Sequence, residues 1–354
     1  MLSQAELKLE VDKHVIFTNL LHQLLTSLLN SSGIKYHVIE CRTKTLDSLS
    51  EKTERKEIQN LSDITDISGL RIILYYQDDV DKVVDMIKSN FVIDDKNSIN
   101  KADLYSSNEF GYLSLHYIVS INKKRNILPE WALYKSLKSE IQIRTVLQHS
   151  WASISHELSY KKQYDIPKEL QRKLFRLAGL FELADEQFLK IRDEHESLKT
   201  HIENVGQADK IENEKINLLT ISYVFQPGKK LGIFKDIEYI ALTSGFSDST
   251  ESDIDVKDEQ YSEIITLSKI LGLSTIGELE NKLQIVKPKL ENFFTELINQ
   301  KSGRNWYGDI TFFVSLALLY LLNSEQLELY KKQANHWSKM LFERVAKTVE
   351  KLKG

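Results

Sequence analysis

A mixed α/β domain followed by a mainly helical C-terminal region is the fold class that three features of this 354-residue sequence predict. Short apolar runs alternate with segments of helical spacing between residues 36 and 160. Pro167 then opens a long helical pattern, and beyond residue 261 apolar residues recur at helical spacing to the end.

The elements follow in order. Leu20, Leu21, Leu24, Leu25, Leu28 and Leu29 mark an amphipathic helix that stops near Ser31-Ser32-Gly33. Tyr36 to Cys41 reads as a strand, Gly69 to Tyr76 as a second, strongly apolar one, and Val80 to Ser89 as a helix. Tyr112 to Ile121 and Leu137 to Arg144 are further strands, and Val146 to Tyr160 is a helix. The helix opened by Pro167 carries Leu170, Leu174, Leu177, Phe181, Ala184 and Phe188. Past about Glu203 the character changes. Lys215 to Gln226 and Ile233 to Leu242 read as strands, and Ser244 to Gln260, rich in Ser and Asp, as a surface loop. Tyr261–Leu271, Ile276–Gln300, Asp309–Asn323 and Glu325–Leu352 read as helices, with Phe293, Phe294, Phe312, Phe313, Leu316, Leu319, Trp337 and Phe342 as core material. Two domains are expected, 1–203 and 204–354, with no internal repeat.

Composition narrows the class. With 42% apolar and 28% charged residues the chain is an ordinary globular protein. A net charge of −4 offers no global attraction for nucleic acid, so DNA is not an expected partner. The single Cys41 excludes an intramolecular disulfide and a multi-cysteine metal site. Glu6, Glu10 and Asp12 stand where a secretory signal would be basic and apolar. Ile310 to Leu322 falls short of the ~20 apolar residues of a spanning helix and reads as a buried core helix. A cytoplasmic location without a membrane partner is the expectation.

The chemistry-bearing residues fall in four segments. Glu140, Gln142 and Arg144 alternate with Ile141 and Ile143, giving a strand with one polar and one apolar face. Alone, that hexapeptide reads as an edge strand with a wet face. Arg42, Lys44, Ser48, Lys52 and Arg55 form a basic stretch. Arg42 and Lys44 point the same way along an extended chain, and Lys52 and Arg55 lie one helical turn apart. Glu40, Asp47, Glu51 and Glu54 are placed to neutralise them, which would leave a solvated basic turn. Asp66 precedes the apolar strand, where a carboxylate often serves as a cap or turn acceptor. Gly111-Tyr112 leads a strand with Tyr112, Ser114 and His116 on one face. His149 and His156 share a helix face, with support of the sheet as their expected role and no third ligand in view for a metal.

Taken in order, the Arg42–Arg55 stretch, Asp66-Ile67-Ser68-Gly69-Leu70-Arg71, Gly111–His116 and Glu140–Thr145 resemble the synthetase domain of the RelA/SpoT family. These alarmone synthetases move pyrophosphate from ATP to the 3′-hydroxyl of GDP or GTP. The resemblance runs from about Tyr36 to Phe188 and implies a nucleotidyltransferase-like sheet flanked by helices. It further implies that Arg42 and Arg71 sandwich the adenine, and that Lys44, Ser48 and Lys52, with Arg55 on the same stretch, hold the ATP phosphates. Asp66 and Glu140 would bind Mg²⁺, with Glu140 as general base. Tyr112 would stack on the acceptor base, beside His116, and Gln142 and Arg144 would orient Glu140 and neutralise phosphate charge. A carboxylate base needs either a raised pKa or a dissociative transition state that demands little base help.

One segment departs from the family. Asp103 to Phe110 reads Asp-Leu-Tyr-Ser-Ser-Asn-Glu-Phe, without the Lys that normally precedes Gly-Tyr and meets the acceptor's phosphates. That leaves AMP-type nucleotides or the 3′ end of tRNA as alternative acceptors, as in the toxic small alarmone synthetases. Some of those carry a restraining C-terminal helical element, a place that residues 204–354, with Tyr320 and Tyr330, would take. A non-catalytic nucleotide-sensing module is a third reading, opposed by Asp66, Glu140, Lys44, Lys52 and Tyr112. About 35 residues precede the first strand and Asp12-Lys13-His14 supplies no His-Asp pair, so synthesis without hydrolysis is expected. The ribosome-sensing domains of the long family members are unrecognisable, and homo-oligomerisation is left open.

Overall fold

The computed structural model describes residues 3–58, 60–100, 114–158, 167–226, 228–229, 232–249, 254–300, 306–333 and 339–353. Gly111, Tyr112, the Asp103–Phe110 segment and Trp337 lie outside them. The chain divides into two compact units, Met1–Asp193 and Glu194–Gly354, the division falling within one long helix.

The first unit opens with α1 (Gln4–Ser31), whose N-terminus is closed by a reciprocal Ser3–Glu6 capping box. There follow β1 (Tyr36–Thr43), α2 (Leu46–Arg55), β2 (Ser68–Leu74), α3 (Asp78–Asn90), β3 (Phe91–Ile93), β4 (Ile99–Asn100) and β5 (Leu115–Ile121). The single turn α4 (Lys123–Asn126), β6 (Ser139–Thr145), α5 (Val146–Leu158) and α6 (Lys168–Gln207) complete the order. The strands form one sheet in the order β1-β2-β6-β5-β3, with β4 also against β5. β2 and β6 run parallel, and the other pairs are antiparallel.

This order corrects the edge-strand reading of Glu140–Thr145, because β6 lies inside the sheet between β2 and β5. Its apolar positions, Ile141 and Ile143, join Leu70, Ile72 and Leu74 of β2 in a core closed by Phe17, Leu21, Leu25 and Leu29 of α1 and Val80, Val83 and Ile87 of α3. The leucine ladder of α1 is therefore the cover of one sheet face. A small polar knot crosses this cover. Thr43 Oγ1 donates to Thr18 Oγ1 at 3.0 Å, Thr18 to Ser68 Oγ at 2.8 Å, and His14 Nδ1 meets Ser68 Oγ at 2.7 Å. Burial pushes His14 down to about 4, so its imidazole is neutral at physiological pH.

At the C-terminal end of β6, Thr145 caps α5: its Oγ1 accepts from Gln148 N, and its own N–H donates to Gln148 Oε1. The Thr145 hydroxyl proton goes to Asp185 Oδ2 of α6 at 2.7 Å. Trp151 Nε1 donates to the Leu174 carbonyl, and Arg192 grips both oxygens of Asp78 at 2.7 and 3.1 Å. The first part of α6 is thus tied to the sheet by polar contacts from three elements.

The second unit contains α7 (Leu218–Val224), α8 (Gly232–Thr243), β7 (Ser247–Asp248), α9 (Ile254–Ile270), α10 (Ile276–Asn299), β8 (Tyr307–Gly308), α11 (Ile310–Leu321), α12 (Ser324–Gln333) and α13 (Lys339–Lys353). Two expectations fail here. The strands read at Lys215–Gln226 and Ile233–Leu242 are the helices α7 and α8. Short apolar runs do not separate the two periods, and the deciding features are an Asn217–Thr220 capping box and the burial of Ile233, Phe234, Ile237 and Ala241 at helical spacing. The loop read over Ser244–Gln260 ends early, because α9 starts at Ile254; its polarity marks an exposed helical stretch at Asp258 and Glu259. The helix read over Glu325–Leu352 is described as α12 and α13, with residues 334–338 outside the described residues. Phe293, Phe294, Phe313, Leu316, Leu319 and Phe342 are buried in one core, Phe312 packs against it, and Tyr330 is fully buried. Among the described residues no helix is long and apolar enough to cross a membrane.

Burial pushes the Asp185 carboxyl up to about 6 against an ordinary 3.8, the Thr145 hydrogen bond acting in the opposite sense. The folded chain therefore holds a proton that the unfolded chain releases across this interval. Stability falls as pH rises from about 4 to about 6, and the loss persists above. Asp185→Asn keeps an acceptor for Thr145 and should stabilise the fold at pH 7.5 by about 1–2 kcal/mol, with little effect at pH 4, as read by denaturant melts at both values.

Candidate active site

The polar face of the sheet is organised in cross-strand rows, because directly paired residues project to the same side. One row runs Glu40, Arg71, Gln142 and His116 across β1, β2, β6 and β5. The adjacent row runs Arg42, Gly69 and Glu140. Just beyond the strand ends stand Lys44 after β1 and Asp66 before β2, joined by the hydrogen bond from Lys44 N to the Ile67 carbonyl. Apart from His116 these residues, with Cys41 and Leu70, line a cavity of about 460 Å³: Glu40, Arg42, Lys44, Asp66, Gly69, Arg71, Glu140 and Gln142.

Gly69 makes the floor of that cavity. It sits between Arg42 and Glu140 in its row, and a Cβ added there would meet only the Arg42 carbonyl at 3.6 Å. The missing side chain leaves open the space between a cation and a carboxylate.

The basic stretch is drawn to Asp66. Lys44 Nζ lies 3.3 Å from Oδ2, and Lys52 Nζ lies 2.5 Å from Oδ1. Lys52 reaches Asp66 because Thr45 caps α2, its Oγ1 accepting from Ser48 N, so that the helix returns over the strand end. Burial pushes the Asp66 carboxyl up, but the Lys52 hydrogen bond and the charges of both lysines outweigh it and hold the carboxyl below its ordinary value. The neutralisation weighed for this stretch, by Asp47, Glu51 and Glu54, is not what Lys44 and Lys52 use. Glu40 pairs elsewhere, with Arg71.

Glu140 is held by its neighbours across and along the strand. His116 Nδ1 lies 2.8 Å from Oε1, and Gln142 Nε2 donates to Oε2 at 3.0 Å. Burial and the Asp66 charge push its carboxyl up, while the hydrogen bond and charge of His116 and the Gln142 amide prevail, so the net shift is downward. Of the two routes open to a carboxylate base, a raised pKa is not the one this environment provides. Gln142 is the hub, since its Oε1 accepts from Arg71 Nε at 3.3 Å and from Arg144 Nη2. Arg144 is buried, and His149 on α5 stands close enough for burial and the Arg71 and Arg144 charges to lower its pKa, with Glu40 opposing.

Eleven of the twelve site residues read from the sequence have described positions inside or adjoining this arrangement, or on α2 beside it; Tyr112 lies outside the described residues. Ser48 and Arg55 sit on α2 and are not among the cavity-lining residues. Sequence reading passed over Glu40, Cys41 and Gly69 as lining residues. The two-residue alternation that put Arg42 and Lys44 on one side would also have put Glu40 there. Among the described residues no group of three His, Cys, Asp or Glu side chains is disposed to hold a metal, and the carboxylates lining the cavity are Glu40, Asp66 and Glu140.

A family profile described as the region found in RelA / SpoT proteins matches residues 41–165. The GTP pyrophosphokinase YjbM of Bacillus subtilis is 33% identical over 156 residues, 43% of this chain and 70% of that protein. The GTP pyrophosphokinase YwaC of the same organism is 31% identical over 159 residues, 43% of this chain and 72% of that protein. The chain belongs to the RelA/SpoT family. Its membership bears out the resemblance read from the four motifs, and its enzyme class is pyrophosphotransferase. The crystal structure of small alarmone synthetase 1 from Bacillus subtilis aligns with 54% of this chain and 97% of its own, at 26% identity and a TM-score of 0.45.

Three substitutions probe the RelA/SpoT site directly. Lys52→Ala removes a charged contact at the cavity and should weaken ATP binding by about ten-fold or more, with a deficit that narrows at high salt, as measured by titration with a non-hydrolysable analogue. Gly69→Ala should be tolerated, whereas Gly69→Leu extends into the cavity and should abolish ATP binding while shifting stability by no more than about 1 kcal/mol.

Proposed function

We propose that this RelA/SpoT enzyme transfers pyrophosphate from ATP to the 3′-hydroxyl of GDP or GTP, forming a guanosine alarmone. The observation that carries the reading is the juxtaposition of Asp66, gripped by Lys44 and Lys52, with Glu140 across the open floor at Gly69. The names of the two Bacillus relatives support guanine nucleotides as acceptors. Lys44 and Lys52 are exchangeable partners: the triphosphate of ATP competes with Asp66 for both ammonium groups. Arg42 and Arg71 offer planar cations to the adenine.

Asp66 and Glu140 are the residues that would hold Mg²⁺. They fit it, being hard oxygen donors kept ionised, and the Asp66 charge lies near enough to push the Glu140 carboxyl up, a repulsion that a divalent cation relieves. The ion would neutralise charge on the transferring phosphates. Glu140 then faces the acceptor hydroxyl as a weak base, which suits a loose transition state in which the proton leaves late.

A second reading keeps the donor chemistry and changes the acceptor to the tRNA 3′ end or an adenine nucleotide. It is favoured by the absence of Lys and Arg from Asp103–Phe110. In that reading residues 204–354 act as the restraint.

Purified chain incubated with Mg²⁺ and γ-labelled ATP should label GDP or GTP. Label confined to AMP or deacylated tRNA would transfer the assignment to the second reading, and label in none of the four would remove both. Asp66→Asn and Glu140→Gln should each lower the rate by ~10²–10⁴-fold with the thermal melt unchanged.

A further inference from the structure

Glu40 has no part in the family motifs, yet it lines the cavity and engages the arginine placed beside the adenine. It stands directly opposite Arg71 in the β1–β2 register, as Gln142 does on the other side in β2–β6. Arg71 Nη1 donates to Glu40 Oε2 at 2.7 Å, and Arg71 Nε donates to Gln142 Oε1 at 3.3 Å. Both contacts use the rim of the guanidinium. A guanidinium held by its rim in the plane of its own N–H groups keeps its flat faces available for stacking.

We propose that Glu40 is a positioning residue for the ATP donor: with Gln142 it clamps the Arg71 guanidinium edge-on and presents its face to the adenine. The proposal rests on the reading of Arg71 as part of the ATP site. Without Glu40 the side chain would be anchored at Nε alone and would have to be ordered at the expense of binding free energy each time ATP arrives. Gln142 cannot compensate, because its Oε1 already accepts from Arg71 and Arg144 and its Nε2 is given to Glu140. The carboxylate is half-exposed, at 45% of its side-chain surface, and its partner is 35% exposed. Such a pair contributes little to folding, so its removal separates an effect on ATP from an effect on stability.

The other reading of the same contact makes Glu40 a competitor, either by occupying Arg71 or by repelling the triphosphate. The two make opposite predictions. On the positioning reading Glu40→Ala raises the KM for ATP about five- to ten-fold. It leaves the KM for the acceptor and the rate at saturating ATP within about two-fold, because only the donor's base contact is disturbed. Glu40→Gln, which keeps an oxygen to accept from Arg71, recovers most of the loss. In an Arg71→Ala background Glu40→Ala adds nothing further. Titration with a non-hydrolysable ATP analogue should show the same ranking, and thermal melts should not.

An unchanged or lowered KM for ATP in Glu40→Ala, a loss of rate equal at all ATP concentrations, or full additivity with Arg71→Ala would each overturn the proposal. The control is Arg71→Ala alone. If it binds the analogue normally, the ATP-site reading of Arg71 falls and takes this one with it. If it is weakened while Glu40→Ala is normal, only the role of Glu40 is lost.

Discussion

The parallel pairing of Ser68–Leu74 with Ser139–Thr145 is the constraint on which the site depends. It sets Gly69 beside Glu140 and Arg71 beside Gln142, and the antiparallel β1 then brings Arg42 and Glu40 into the same two rows. A slip of one residue would turn Ile141 and Ile143 to the wet face and bury Glu140 and Gln142 under α1. The apolar side forbids that slip. Ile141 is 0% and Ile143 1% exposed beneath the leucines of α1. The cover built by α1 and α3 on the apolar side therefore holds in register the polar face on the other side of the sheet.

Around that face charges are arranged in close pairs. Asp66 and Glu140 are both half-buried carboxylates, each brought below its ordinary pKa by donors at less than 3.5 Å. Burial alone would have raised them. Both are thus kept as anions by partners that differ in kind: two lysine ammonium groups at Asp66, and a histidine and an amide on neighbouring strand positions at Glu140. The first set lies beyond the strand end and on α2, outside the sheet pairing. The second keeps Glu140 oriented, since Gln142 is itself locked between Arg71 and Arg144.

The second unit is organised on different terms. Its core is a continuous apolar cluster in which α11 contributes nine buried positions, from Thr311 to Tyr320. Phe246 meets Phe294, Phe313 and Trp306 edge-on, a geometry that aromatic quadrupoles favour. Gly206 and Gly308 mark where this core is tightest. A Cβ at Gly206 would sit 2.2 Å from the Tyr223 ring, and one at Gly308 would sit 2.3 Å from Phe312. Among the described residues no comparable row of paired charges on a sheet face occurs there.

By itself the sequence determined the periods and the chemistry. Leucines at helical spacing specified α1, alternation specified the two faces of Glu140–Thr145, and the types and order of Arg42, Lys44, Asp66, Arg71 and Glu140 marked them as candidate site residues that the sheet then brings to one face. It did not determine the second unit's helices α7 and α8, since short runs such as Ile216–Phe225 fit either period and only packing chooses. It also could not show that β6 is interior, or that Lys52 seeks Asp66 rather than Glu51, or that Glu40 belongs to Arg71. Those are partnerships between residues 14 to 71 positions apart. Pairing of that kind is set by strand register and helix return, which exist only once the sheet has formed.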